Sequence, residues 1–139
     1  MFSKYIYLTN NIIIHLLLFI SIVLLSCDDT INQEDLDNKI IPSSNVSFSQ
    51  HIQPVFNARC NNAGCHNDQD RASGLSLTSY VNTTSNFLIV APGTPSNSKL
   101  VWVIEGNSTN PMPPIGYRPL TKNQIDGIKT WIKEGAKNN

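Results

Sequence analysis

Seven consecutive residues, Cys60-Asn61-Asn62-Ala63-Gly64-Cys65-His66, constrain this chain more than anything else in it. Two thiols stand five positions apart, and an imidazole follows the second directly. Gly64 is free to take a positive φ, and Asn61 and Asn62 tolerate one, so the residues between the thiols can bulge outward and bring the sulfurs together. The domain that carries them is short. From Val46 to the last residue there are about 94 residues, few enough that a buried staple is expected to supplement the core. The whole chain has three cysteines, too few for a disulfide-dense scaffold but enough for one tethered centre and one processing event.

The third cysteine belongs to the beginning of the chain. Lys4 gives a short positive start, and Ile12 to Leu25 is then almost unbroken Ile, Leu, Phe and Val, interrupted by His15 and Ser21. Those 14 positions fall short of the roughly 20 that span a bilayer core, and they fit the apolar region of an export signal. Leu24-Leu25-Ser26-Cys27 follows and resembles the lipobox of bacterial lipoproteins. The resemblance implies a signal peptide over 1–26, lipid on Cys27, and a mature chain held on the outer side of a membrane in the cell envelope, either in the periplasm or at the cell surface. Each buried methylene of such an anchor adds about 0.8 kcal/mol. The bland alternative is an uncleaved apolar anchor with an idle cysteine.

Residues 27–45 are expected to be an acidic, flexible tether, because Asp28, Asp29, Glu34, Asp35 and Asp37 face Lys39 alone. From Val46 onward eight basic residues outnumber five acidic ones, while the chain as a whole has formal charge zero. That balance gives no bulk case for a nucleic-acid binder.

The domain over 46–139 is expected to be mainly α. Phe48, Ile52, Val55 and Phe56 form an apolar helical stripe. Ser47 or Ser49 can cap it, and Pro54 suits the first position of the regular helix. Ser96 to Glu105 is a second helical stretch stopped by Gly106. The third is the clearest, with Thr121 as N-cap, Gln124 completing a capping box, Leu120 and Ile125 as a hydrophobic staple, and Gly135 as the stop. Leu75-Ser76-Leu77 alternates like an isolated strand, Tyr80 to Val90 is ambiguous, and Pro111, Pro113, Pro114 and Pro119 keep residues 106–119 irregular.

The Cys-x4-Cys-His segment resembles the attachment motif of c-type haem, whose usual form has two residues between the cysteines. Ile52-Gln53-Pro54-Val55-Phe56 ahead of it, Met112-Pro113-Pro114 after it, and Leu120-Thr121 leading into Ile125 to Ala136 resemble, in the same order, the parts of small cytochromes c of bacterial envelopes. The resemblance spans roughly 46–137. It implies an all-α, cytochrome c-like fold with about three main helices and long loops around one covalently attached haem, the first and last helices crossing so that Phe56 meets Ile128 or Trp131. It also implies thioethers at Cys60 and Cys65, His66 as one axial ligand, and an electron carrier that meets redox partner proteins rather than an enzyme.

For the second axial position the chain downstream of Cys27 offers Met112 and His51. A thioether is a soft ligand that, with His, raises the potential of a haem iron. Prolines on both sides of Met112 hold an extended loop at low entropic cost. The plainer role for such a methionine is core filler, which a proline-rich loop without apolar periodicity does not favour. His51 reads as a surface residue near the first helix. Arg59, Tyr117 and Arg118 are candidate partners for haem propionates or ordinary surface.

Two other readings compete. Cys60, Cys65, His66 and His51 could supply four zinc ligands, or Cys60 and Cys65 a disulfide in an oxidising compartment; neither explains the adjoining histidine together with the Met112 loop. A haem peroxidase or sensor needs Met112 to leave the iron.

Overall fold

The computed structural model of the protein describes residue 15 and residues 32–139. The expected export signal over 1–26 (His15 apart) and the lipidation residue Cys27 lie outside the described residues. Over residues 32–139 five α-helices form: α1 (Gln33–Asn38), α2 (Gln53–Arg59), α3 (Tyr80–Thr84), α4 (Lys99–Ile104) and α5 (Lys122–Lys133). Among the described residues there is no strand, and Leu75-Ser76-Leu77 is irregular. The all-α expectation therefore stands, while the count of three main helices is corrected to five by α1 and α3. Asn32 and Ser79 cap these two through their side-chain oxygens, a local signal that their short apolar patterns do not announce.

Pro54 decides how the first stripe folds. Lacking an N–H, it sits in the first turn of α2. The apolar residues ahead of it wind into a wider π-type turn over Phe48–Ile52, capped by Ser47, whose hydroxyl accepts the Gln50 N–H. That turn brings Phe48 to the centre of an aromatic cluster, edge-on to Tyr80 at 5.4 Å and to Phe56 at 6.4 Å, and 5.2 Å from Trp131. Each such pair adds about 0.5–1.5 kcal/mol beyond burial. Phe48 is thus a ring that faces Trp131, which with Ile128 was one of two places expected for Phe56.

At the other end of the chain, α5 starts with the expected capping box of Thr121 and Gln124. It ends at Gly135 (φ +99°), where the Ala136 N–H donates to Trp131 O and the Gly135 N–H to Ile132 O, the double bond pattern that a left-handed glycine permits. The same pattern ends α4 at Gly106. Ile128, Trp131 and Ile132 are fully buried. The Glu134 carboxylate accepts the N–H groups of Asn45 and Val46, and Asn139 accepts those of Phe48 and Ser49. The first turn of the domain is therefore pinned to the end of its last helix.

The tether expected through Asn45 is corrected for its described part. Residues from Asn32 onward belong to the same compact unit as the rest, and Leu36 and Ile41 are buried. Asn123 of α5 accepts the Ile41 N–H at 2.8 Å and donates to its carbonyl at 3.0 Å. Ile41 packs so closely on Gly127 that a Cβ there would lie 2.5 Å from its Cγ2. Two buried apolar residues and a paired acid outweigh the polar composition of the segment.

Candidate functional site

The helices leave a cavity of about 720 Å³, within the roughly 300–1,000 Å³ of ordinary ligand pockets. Cys60, Cys65, His66 and Met112 all line it. Residues 46 or more positions apart in the chain are thus gathered on one wall system. His51 is not among the lining residues; its Nδ1 accepts the Ser47 N–H at 2.9 Å and serves the turn before α2.

Local hydrogen bonds shape the Cys60–His66 loop. Cys60 is the C-cap of α2, its N–H donating to Phe56 O at 2.8 Å. The His66 N–H returns to Cys60 O at 2.9 Å and the Cys65 N–H to Asn62 O at 2.9 Å. Asn62, Ala63 and Gly64 are exposed, so the extra residues do bulge outward. Gly64 has φ +78°, and its N–H donates to the Asp70 carboxylate at 2.6 Å. That carboxylate also accepts from Asn67; these two bonds, against a weaker opposing effect of burial, hold its pKa below the ordinary value. Beyond the loop, the Leu77 N–H donates to His66 O at 2.9 Å, which fixes the backbone that carries the imidazole.

Both cysteines are free thiols. Burial, and then the neighbouring Cys65, push the Cys60 thiol up to about 12 against the opposing charge of Arg59. A thiol kept protonated is a poor nucleophile for disulfide exchange. Among the described residues no group of three or more His, Cys, Asp or Glu side chains is arranged to hold a metal ion, so the zinc reading finds no donor set here.

The Met112 loop is anchored at the methionine itself. Pro111, Pro113 and Pro114 have no N–H to give, but the Met112 N–H donates to Val103 O at the end of α4, at 2.9 Å. The thioether is half-buried. Leu77, Leu100, Val103, Ile104 and Leu120 supply apolar wall. The α4 residues among them read in the sequence only as apolar positions of a helix.

The charged residues on the lining are Arg59 and Lys99, both cationic. Arg59 is buried, and its Nε has no hydrogen-bond partner. Its other nitrogens reach Gln33 and the Asp37 carboxylate, and Arg118 pairs with the second oxygen of the same carboxylate at 2.6 Å. Tyr117 stands exposed at the rim. The two arginines considered as propionate partners are thus already bound to Asp37, although Arg59 keeps a free buried donor.

The donor set fits a haem on several independent points. His66 Nδ1 is buried without a partner, a costly arrangement for an imidazole that has no further task. Two thiols and a soft thioether share its cavity, the walls are apolar, and the charges beside them suit anionic substituents.

No curated protein and no solved structure matches the chain. Residues 63–116 match the family model described as planctomycete cytochrome C (PSCyt1), a span that takes in Cys65, His66, the cavity wall of α4 and Met112. The chain therefore contains a cytochrome-c-like domain of that family.

Proposed function

We propose that this protein is a mono-haem c-type electron carrier, with one haem attached through thioethers at Cys60 and Cys65 and held axially by His66 and Met112. The observation that carries the reading is the convergence of those four side chains on one largely apolar cavity, within a domain whose matched part is cytochrome-c-like. When bound, the iron porphyrin supplies a one-electron couple between ferrous and ferric states.

The chain's own residues set the conditions for that couple. Hydrogen bonds from and to the loop backbone fix the base of the His66 imidazole. Met112 offers a soft sulfur from a loop with little freedom to lose, and His with Met favours a raised potential. Leu77, Leu100 and Ile104 give the cavity apolar wall, which would lessen the solvent reorganisation that slows electron exchange. If His66 and Met112 both hold the iron, the chain leaves it no ligand position for a substrate, and the role is that of a carrier meeting redox partner proteins. The lipobox-like Leu24-Leu25-Ser26-Cys27 supports lipid attachment at Cys27 and residence in the bacterial cell envelope, on the periplasmic side or at the surface.

The reading is tested by optical spectroscopy of matured protein. A sharp c-type α band on reduction, together with the weak long-wavelength ferric absorption that marks sulfur on iron, is expected. A ferrous protein that binds carbon monoxide readily would instead indicate an open site and overturn the carrier assignment.

A further inference from the structure

Two stretches of the cavity wall that are far apart in sequence meet on one carboxylate. Arg59 directly precedes Cys60, and its side chain is 3 % exposed. Arg118 lies six residues after Met112, at the far end of the proline-rich loop. Asp37 of α1 holds both, one oxygen to each guanidinium, and Gln124 of α5 donates to the first oxygen at 3.1 Å. Asp37 itself is 14 % exposed, so this is not a loose surface pair. Between Met112 and Arg118 the loop has little else to hold it: Pro113 and Pro114 lack N–H groups, Ile115 is almost fully exposed, and the Tyr117 N–H donates within the loop to Pro114 O.

We propose that Asp37 is a positioning residue that clasps the Arg118 end of the Met112 loop to Arg59 beside Cys60, and so keeps the Met112 thioether facing the cavity. The assignment rests on Met112 being an axial ligand, as proposed above. It gives α1 a function: this short acidic helix, ahead of the part that matches the cytochrome family, controls how firmly the sixth ligand is held. Arg118 is half-exposed, so salt weakens its arm of the clasp more than the buried Arg59 arm.

The test uses the full-length, matured, haem-bearing protein and imidazole as a competing ligand. Displacement of the ferric sulfur-to-iron absorption is titrated in wild type, Asp37→Asn, Asp37→Glu and Arg118→Gln, beside the reduction potential and the unfolding midpoint by circular dichroism. Arg118→Gln leaves the buried Arg59–Asp37 pair intact and guards against a global folding defect in Asp37→Asn. Asp37→Asn and Arg118→Gln are expected to bind imidazole roughly three- to tenfold more tightly than wild type, to have lower potentials, and Asp37→Glu to recover most of the difference. Unchanged imidazole affinity in both Asp37→Asn and Arg118→Gln, with the sulfur absorption present in wild type, overturns the clasp alone. A haem-bearing wild type that lacks this absorption overturns the ligand assignment and the clasp together.

Discussion

Among the glycines, Gly127 in the middle of α5 is where an added Cβ would make its closest contact, and propensity and packing oppose each other there. On propensity alone Gly127→Ala should stabilise the helix by about 1 kcal/mol. The new Cβ, however, would stand 2.5 Å from Ile41 Cγ2, 2.9 Å from Cδ1 and 3.0 Å from Cβ, all inside the roughly 3.5–4.0 Å of an ordinary carbon contact. Ile41 cannot easily retreat, because Asn123 holds both its N–H and its carbonyl. Overpacking of this kind costs about 1–3 kcal/mol, so we expect a net destabilisation of up to about 2 kcal/mol once the propensity gain is subtracted. In an Ile41→Ala background the two methyl clashes disappear, and the same substitution should recover up to about 1 kcal/mol of the propensity gain, a coupling of about 1–3 kcal/mol. Urea unfolding of the four proteins, followed by far-ultraviolet circular dichroism, measures this. If Gly127→Ala is simply stabilising in both backgrounds, Ile41 is not seated on α5 and the segment from Asn32 is a tether after all.

Other expected outcomes concern the site. Gly64→Ala meets no atom within 4 Å but must hold φ +78°, so it should cost about 1–2 kcal/mol in chemical unfolding from backbone strain alone. Met112→Ala should abolish the sulfur-to-iron absorption, lower the reduction potential and let the ferrous protein bind carbon monoxide, with little change in covalent haem content. Asp37 makes stability fall in acid in a defined way. Burial raises its pKa, but hydrogen bonds from Arg59 and Gln124 and the charges of Arg59 and Arg118 prevail and hold it below the ordinary 3.8. Its contribution is therefore complete above that value and is lost as pH falls further, through the folded pKa. Asp37→Asn should flatten the acid-unfolding curve below about pH 4 while lowering stability at pH 7.

Much of the site was legible in the sequence because its chemistry is local. The Cys-x4-Cys-His spacing and the outward bulge at Gly64 are written in seven adjacent residues, and Met112 stood out because prolines surround it. The start and stop of α5 were equally plain, since a capping box and a left-handed glycine act within one turn. What could not be read depended on partners distant in the chain. The acidic run around Asp37 looks like a solvated leash until Arg59 and Arg118 are known to sit beside it. Phe48 packs 5.2 Å from Trp131 out of a π-type turn just ahead of Pro54, a geometry with no signature in apolar spacing. That α4 faces a cavity was not legible either, because buried and cavity-lining apolar residues look alike in a sequence.

The claim that everything functional depends on is the covalent attachment of one haem at Cys60 and Cys65, and the mass of the denatured protein after expression with a haem-attachment system tests it most directly. The expected mass is that of the mature polypeptide with its lipid plus one haem, reduced to the haem-free value in the Cys60→Ala, Cys65→Ala double variant. A wild-type protein that folds cooperatively and carries no haem after denaturation would contradict the account.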